Sequence, residues 1–219
     1  MIAEAGLTVS RRGAIKLLGG SLMAGLIPLW TDGQGGERAA ADSFKLPLQG
    51  RVLLTSGHLQ PYTERSGQPA GTHHIGVDLN IGEGDDDLGF PVYLIAAGIC
   101  LHASYSQACG LGNIAIFEHR LAQGDRVYSR YAHLDQLAVY PGLMLAAGDT
   151  IATVGRSGCQ GSSHLHLDVA NELAWRESLS QDPRWYPQGA PLWWLKKRFV
   201  DPIRLLLPGL EANTIHGAL

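Results

Sequence analysis

Cysteine is scarce in this chain, long apolar runs are missing, and there is no excess of positive charge. Three cysteines occur among 219 residues, with no C-x-x-C pair or zinc-knuckle spacing, so neither a cytosolic redox motif nor a cysteine-built zinc site is encoded. An odd count leaves at least one thiol outside any bridge within the chain. Cys109 and Cys159, both in glycine-rich turns, are the pair to expect if a disulfide forms, whereas Cys100 follows an apolar run and reads as a small buried hydrophobe. The longest apolar stretch, 17–30, has about 14 residues and contains glycine and proline, short of the ~20 that a membrane-spanning helix needs. A formal charge of -3 argues against non-specific nucleic-acid binding. Residues 50–169 show no helical periodicity and no long internal repeat.

Glycine, by contrast, is abundant, with 28 copies. The length favours one domain with its own core. Residues 1–41 stand apart from it. Ser10-Arg11-Arg12-Gly13-Ala14-Ile15-Lys16 is a basic segment with paired arginines, and the apolar stretch after it gives the layout of a secretory signal of twin-arginine type. A Gly/Ala-rich connector ending in Ala39-Ala40-Ala41 offers a cleavage site. The expectation is a periplasmic or otherwise exported protein that has no stable membrane insertion once the signal is removed, with its functional domain in 42–219.

Within that domain, residues 50–207 form the expected core. Short strands are expected at 51–55, 74–79, 91–97, 113–119, 127–133, 150–154 and from His164 onward, separated by turn signals at Gly98, Gly110-Leu111-Gly112, Gly124-Asp125 and Gly148-Asp149. This rhythm predicts an all-β fold, an antiparallel β-sandwich or barrel-like core. Residues 174–198 interrupt it as a tryptophan-rich insertion carrying Trp175, Trp185, Trp193 and Trp194, which packing onto the sheet explains more simply than a ligand groove. Short helical segments close the chain, one within 191–199 and one opened by Asp201 as N-cap with Pro202 at its first position.

The chemistry concentrates on three strand segments. In Gly161-Ser162-Ser163-His164-Leu165-His166-Leu167-Asp168-Val169, strand alternation puts His164, His166 and Asp168 on one face and Leu165, Leu167 and Val169 on the other. His74-Ile75-Gly76-Val77-Asp78-Leu79 repeats the pattern, with Gly76 leaving room between two potential ligands. Imidazole plus carboxylate is a usual zinc pairing, and three protein ligands leave one position open for catalysis. In Tyr128-Ser129-Arg130-Tyr131-Ala132-His133-Leu134, Tyr131 and His133 are expected to face the same way.

His74-x-x-x-Asp78, Tyr131-Ala132-His133-Leu134 and His164-x-His166, in this order, resemble the lysostaphin/LytM-type zinc metallopeptidases. Supporting matches run over residues 53–206 and include Thr55-Ser56-Gly57, Gly110-Leu111-Gly112-Asn113, Val154-Gly155-Arg156-Ser157-Gly158 and Val200-Asp201-Pro202. The resemblance implies the lysostaphin-type fold, one zinc ion per chain held by His74, Asp78 and His166, and His133 and His164 as catalytic histidines. It implies hydrolysis of peptide bonds in peptidoglycan stem peptides or cross-links by attack of a zinc-bound water; an inactive member that binds peptidoglycan or activates another hydrolase is the alternative. Tyr131 and Asn113 become candidates for substrate contact, and Asp168 for an acceptor that orients a ligand histidine. Departures are Gly57-His58-Leu59-Gln60, where the family tends to carry an aromatic-glycine pair and an arginine, and the run Asp85-Asp86-Asp87, which reads as a solvated loop rather than a calcium clip. His73 is expected on the face away from the site.

Overall fold

A computed structural model describes residues 43–63, 68–158 and 161–208. The export signal and linker expected at 1–41, and Cys159 of the expected disulfide, lie outside these residues. Among the described residues no helix is long and apolar enough to cross a membrane.

Among the described residues ten strands form in chain order: β1 (Leu53–Ser56), β2 (Val77–Asn80), β3 (Pro91–Tyr93), β4 (Gly98–Ser104), β5 (Asn113–Arg120), β6 (Arg126–Leu134), β7 (Met144–Leu145), β8 (Thr150–Thr153), β9 (Leu165–Asn171) and β10 (Phe199–Val200). They build one antiparallel sheet of order β1-β2-β9-β6-β5-β4-β7, with β10 also paired to β9, and a separate β3–β8 ribbon. The fold is thus the antiparallel, mostly β architecture that the turn rhythm predicts. Helices are few among the described residues: α1 (Glu172–Ala174), which runs on into a π-helical turn (Trp175–Leu179), α2 (Leu192–Lys196) and α3 (Pro202–Leu206). Asp201 caps α3 by accepting from the Ile203 N–H, and Pro202 occupies its first turn.

Alternation on the strands decides what each face of the large sheet buries. Val77 and Leu79 of β2, Leu165, Leu167 and Val169 of β9, Tyr131 of β6 and Phe117 of β5 join Val92 and Ile151 of the ribbon in the main core. At ~1.5–3 kcal/mol per fully buried large aliphatic or aromatic side chain, this face supplies most of the apolar stabilisation. The other face carries Tyr128 and Ala170, which pack against Ala174, Leu179, Leu195 and the tryptophan-rich insertion. Trp175 stacks on Tyr128 at 4.6 Å between ring centroids, Trp185 lies 5.8 Å from Trp194, and the Arg198 guanidinium covers Trp194 at 3.9 Å. The insertion is therefore a second covering layer, with Trp193 left 69% exposed.

Several expectations need correction. The strand expected at 91–97 stops at Tyr93, and Gly98, read as a turn, opens β4. A β-carbon at Gly98 would lie 2.6 Å from the Glu118 carbonyl oxygen, so glycine is there to let β4 approach β5. The strand expected at 74–79 begins only at Val77, and Ile75 joins the insertion-side cluster rather than the main core. Gly76 does not make room between two ligands: a β-carbon there would stand 2.3 Å from the Leu167 carbonyl oxygen, and the space belongs to the backbone of β9.

Candidate metal centre

The site forms where β2, β9 and the end of β6 meet on the insertion side of the sheet. Asp78 and His166 are cross-strand partners on β2 and β9, and Ala132 of β6 opposes His166 from the other edge. His74 sits just before β2, where its N–H donates to the Gln60 carbonyl, and its carbonyl accepts from the Leu59 N–H. The three proposed ligands converge: His74 Nε2 lies 2.9 Å from His166 Nδ1 and 3.1 Å from Asp78 Oδ1, and His166 Nδ1 lies 3.1 Å from that same oxygen. His74, Asp78 and His166 are a group among the described residues able to hold a metal ion.

The donor set fits zinc in chemistry and spacing. His74 Nδ1 faces the Gly57 carbonyl at 3.2 Å, and His166 Nε2 faces Asp168 Oδ2 at 3.1 Å. Protons on these outer nitrogens leave lone pairs on His74 Nε2 and His166 Nδ1, both aimed at the Asp78 carboxylate. Three electron-rich atoms so arranged repel one another unless a cation lies among them, whether a metal ion or, without one, a proton taken up by an imidazole. Their separations approach the roughly 3.3 Å edge of a tetrahedron with ~2.0–2.1 Å zinc bonds. Burial alone would raise the Asp78 pKa, but the charge of His74 and hydrogen bonds from both imidazoles outweigh it and hold the carboxyl well below its ordinary range. Burial likewise works against a charged His166, yet its contacts with Asp168 and Asp78 prevail and lift it to about 9.

His133 and His164 stand beside this cluster, with ring centroids 4.7 Å apart. Each has Nδ1 2.9 Å from a main-chain carbonyl, Ser157 for His133 and Ser162 for His164, which leaves Nε2 as the nitrogen free for proton exchange. His164 Nε2 is 3.9 Å from Asp78 Oδ1. Burial first, then the neighbouring His166 and His164, pushes the His133 pKa down to about 3, so its imidazole is neutral near pH 7. A cleft of about 450 Å³ opens beside the cluster, bordered by Ser56, Asp78, Asn80, Glu83, Ser162 and His164.

His133 reaches the site through a backbone irregularity that simple alternation does not reveal. Between the pairs Ala115↔Tyr131 and Asn113↔Leu134, β6 carries one more residue than β5, and His133 has φ 59°. This bulge turns His133 away from the face of Tyr131. Tyr131 is accordingly not brought to the site: it is fully buried in the main core, edge-on to Phe117, with its hydroxyl accepting from the Ile95 N–H. Asn113 is also buried, and its side chain is committed to the Ser106 N–H and the carbonyls of Leu134 and Asp135. It staples the turns around His133 rather than facing a substrate. Asp168 does accept from His166, as expected.

Residues to which the sequence reading gave no part in the site complete the surroundings, the run read as a solvated loop among them. Asp87 is buried, accepting from the Ser163 hydroxyl and the Ile81 N–H, while Asp85 accepts from the Ser163 N–H, so the acidic run anchors the turn before His164. Arg130 is fully buried against Asp168. A charged residue in the middle of an apolar strand pattern was the available signal for it.

Comparison with known proteins adds three findings. The model of peptidase family M23 matches residues 72–180. An uncharacterized protein of Haemophilus influenzae is 29% identical over 138 residues, covering 63% of this chain and 29% of that relative, so the chain spans under a third of the length of the curated relative it matches. Among solved structures, a zinc-containing peptidase from Vibrio cholerae is 26% identical with TM-score 0.48, over 59% of this chain and 37% of that one. The catalytic domain of the antimicrobial peptidase lysostaphin from Staphylococcus simulans is 23% identical with TM-score 0.45, over 68% and 86% of the two chains.

Proposed function

Because this chain belongs to peptidase family M23 through residues 72–180, we propose that it is an exported zinc endopeptidase that hydrolyses peptide bonds in peptidoglycan stem peptides or cross-links. The observation that carries this reading is the convergence of His74 Nε2, Asp78 Oδ1 and His166 Nδ1 beside two further imidazoles at the edge of an open cleft. Three protein ligands with space alongside suit a catalytic rather than a closed structural site. Export rests on the paired arginines and apolar stretch near the start of the sequence.

When bound, zinc supplies Lewis acidity and a coordinated water with pKa near ~7. The chain's own groups do the rest. His74, Asp78 and His166 hold the ion. His164, the more open of the two remaining histidines, removes a proton from the attacking water through Nε2 and passes that proton to the departing amine, while His133, neutral and with its Nδ1–H on the Ser157 carbonyl, offers Nε2 beside it as a second acceptor. The inactive alternative has no observation in its favour, since all five residues are present and gathered.

The test is zinc content together with hydrolysis. Purified protein should hold about one zinc per chain and release peptide fragments from purified sacculi, identified by mass. His74→Ala and Asp78→Ala should lose both properties while remaining folded. A folded wild type that takes up no zinc would refute the reading.

A further inference from the structure

Arg130 is the largest side chain that the fold buries completely. A buried guanidinium is costly unless its charge and donors are met, and a hydrophobic residue of similar volume would serve packing at least as well. Its contacts point to another use. Arg130 lies directly across the β6–β9 ladder from Asp168 and donates through Nε to Asp168 Oδ2 at 2.9 Å. That oxygen also receives His166 Nε2 at 3.1 Å. Arg130 Nη1 donates to the carbonyls of Pro183 and Trp185, at 3.0 and 2.9 Å, within the tryptophan-rich insertion. Arg130 Nη2 and Asp168 Oδ1 are both buried without a hydrogen-bond partner, so no other group among the described residues stands ready to replace this contact.

The same turn of the insertion reaches the other histidine. Tyr186 accepts from the Ile75 N–H at 3.3 Å and donates to the His73 carbonyl at 3.2 Å, gripping the backbone on both sides of His74. Tyr62, edge-on to the His74 ring, hydrogen-bonds the Tyr186 hydroxyl. Residues 183–186 thus stand behind two ligands at once, through a guanidinium on one side and a phenol on the other.

We infer that Arg130 is a positioning residue of the metal centre: anchored on the Pro183 and Trp185 carbonyls, it fixes the Asp168 carboxylate, which holds His166 with its proton on Nε2 and its Nδ1 lone pair toward the ion. The tryptophan-rich insertion is then a brace for the ligands. This rests on the metal reading of the site, and it goes further by naming what sets the tautomer and orientation of His166. Lysine keeps the charge of Arg130 but cannot reproduce the fork that joins one carboxylate to two carbonyls.

The full chain carrying Arg130→Lys should bind zinc roughly 10–100-fold more weakly than wild type in chelator competition, the usual effect of disturbing a ligand's hydrogen-bond partner. Its cobalt-substituted form should show an altered d–d absorption spectrum, a change that a purely structural role would not produce. A folded Arg130→Lys protein with wild-type zinc affinity and an unchanged cobalt spectrum overturns the inference while leaving the zinc site standing. Wild type that binds neither metal removes both. If Arg130→Lys does not fold, imidazole nitrogen NMR of zinc-loaded wild type decides. A His166 proton on Nε2, slow to exchange with solvent, supports the inference, and a proton on Nδ1, or rapid exchange, overturns it.

Discussion

His133 shows how much a single backbone angle governs this cleft. Its imidazole is placed beside His164 by the bulge in β6, whereas regular alternation would send it toward Tyr131 and the core. The spacing of His74-x-x-x-Asp78 and His164-x-His166 was legible in the sequence because ligands on strand or near-strand segments follow simple arithmetic. An extra residue in one strand leaves no mark on that arithmetic, which is why Tyr131 was expected to contact substrate. If His133 and His164 exchange protons with the reacting groups, alanine at either position should lower kcat by about 10²–10⁴ while zinc content stays near the wild-type value; metal analysis beside turnover assays checks this. Tyr131→Phe should behave oppositely. Loss of its bond to the Ile95 N–H should cost on the order of 1 kcal/mol in urea denaturation, with cleavage unchanged. A large rate loss at unaltered stability would return Tyr131 to the substrate.

Between neighbouring elements, the decisive fact is how closely the approach to β2 lies against β9. Gly76 was legible as a small residue between ligands, but its reason was not, because the atom it makes room for comes from β9, some ninety positions later in the chain. The same holds for the acidic run 85–87, which by composition is a solvated loop and in three dimensions ties down Ser163 just before His164. Long-range backbone contacts of this kind have no local signature. They nevertheless predict a sharp result. Gly76→Ala sets a β-carbon 2.3 Å from a backbone oxygen and 2.9 Å from Asp168 Cβ, neither of which is a flexible side-chain end. The strands must separate, at about 1–3 kcal/mol, and the separation falls between His74 and His166. Urea denaturation of the metal-free protein should register the first effect, and zinc titration a loss of affinity larger than that stability change alone would give.

For the molecule as a whole, stability should depend on metal and on acid in separable ways. The proposed ligands come from the segment before β2, from β2 and from β9, so zinc held by them would bind the folded chain far better than the unfolded one; free zinc at 100 times its dissociation constant would add about 2.7 kcal/mol, and chelation should lower the melting temperature accordingly. Acid sensitivity has a source remote from the metal. His119 on β5 is buried, its Nδ1 3.1 Å from the Ala97 carbonyl and its Nε2 2.7 Å from the Ser129 hydroxyl, with the Phe44 ring edge-on at 6.4 Å. Burial lowers its pKa from 6.5 to about 4, against the opposing pull of the nearby carbonyls. Between those values the unfolded chain binds the proton and the folded chain does not, so the native state loses ground as pH falls through this window and keeps its full advantage above 6.5. A displacement of that size corresponds to roughly 3 kcal/mol. His133 and His166 also titrate in metal-free protein, so the measurement is a difference: urea stability of metal-free wild type against His119→Gln, whose amide can keep a contact with Ser129. The wild type should fall relative to the variant by most of that amount between pH 6.5 and 4, and parallel curves would mean that His119 is protonated within the fold.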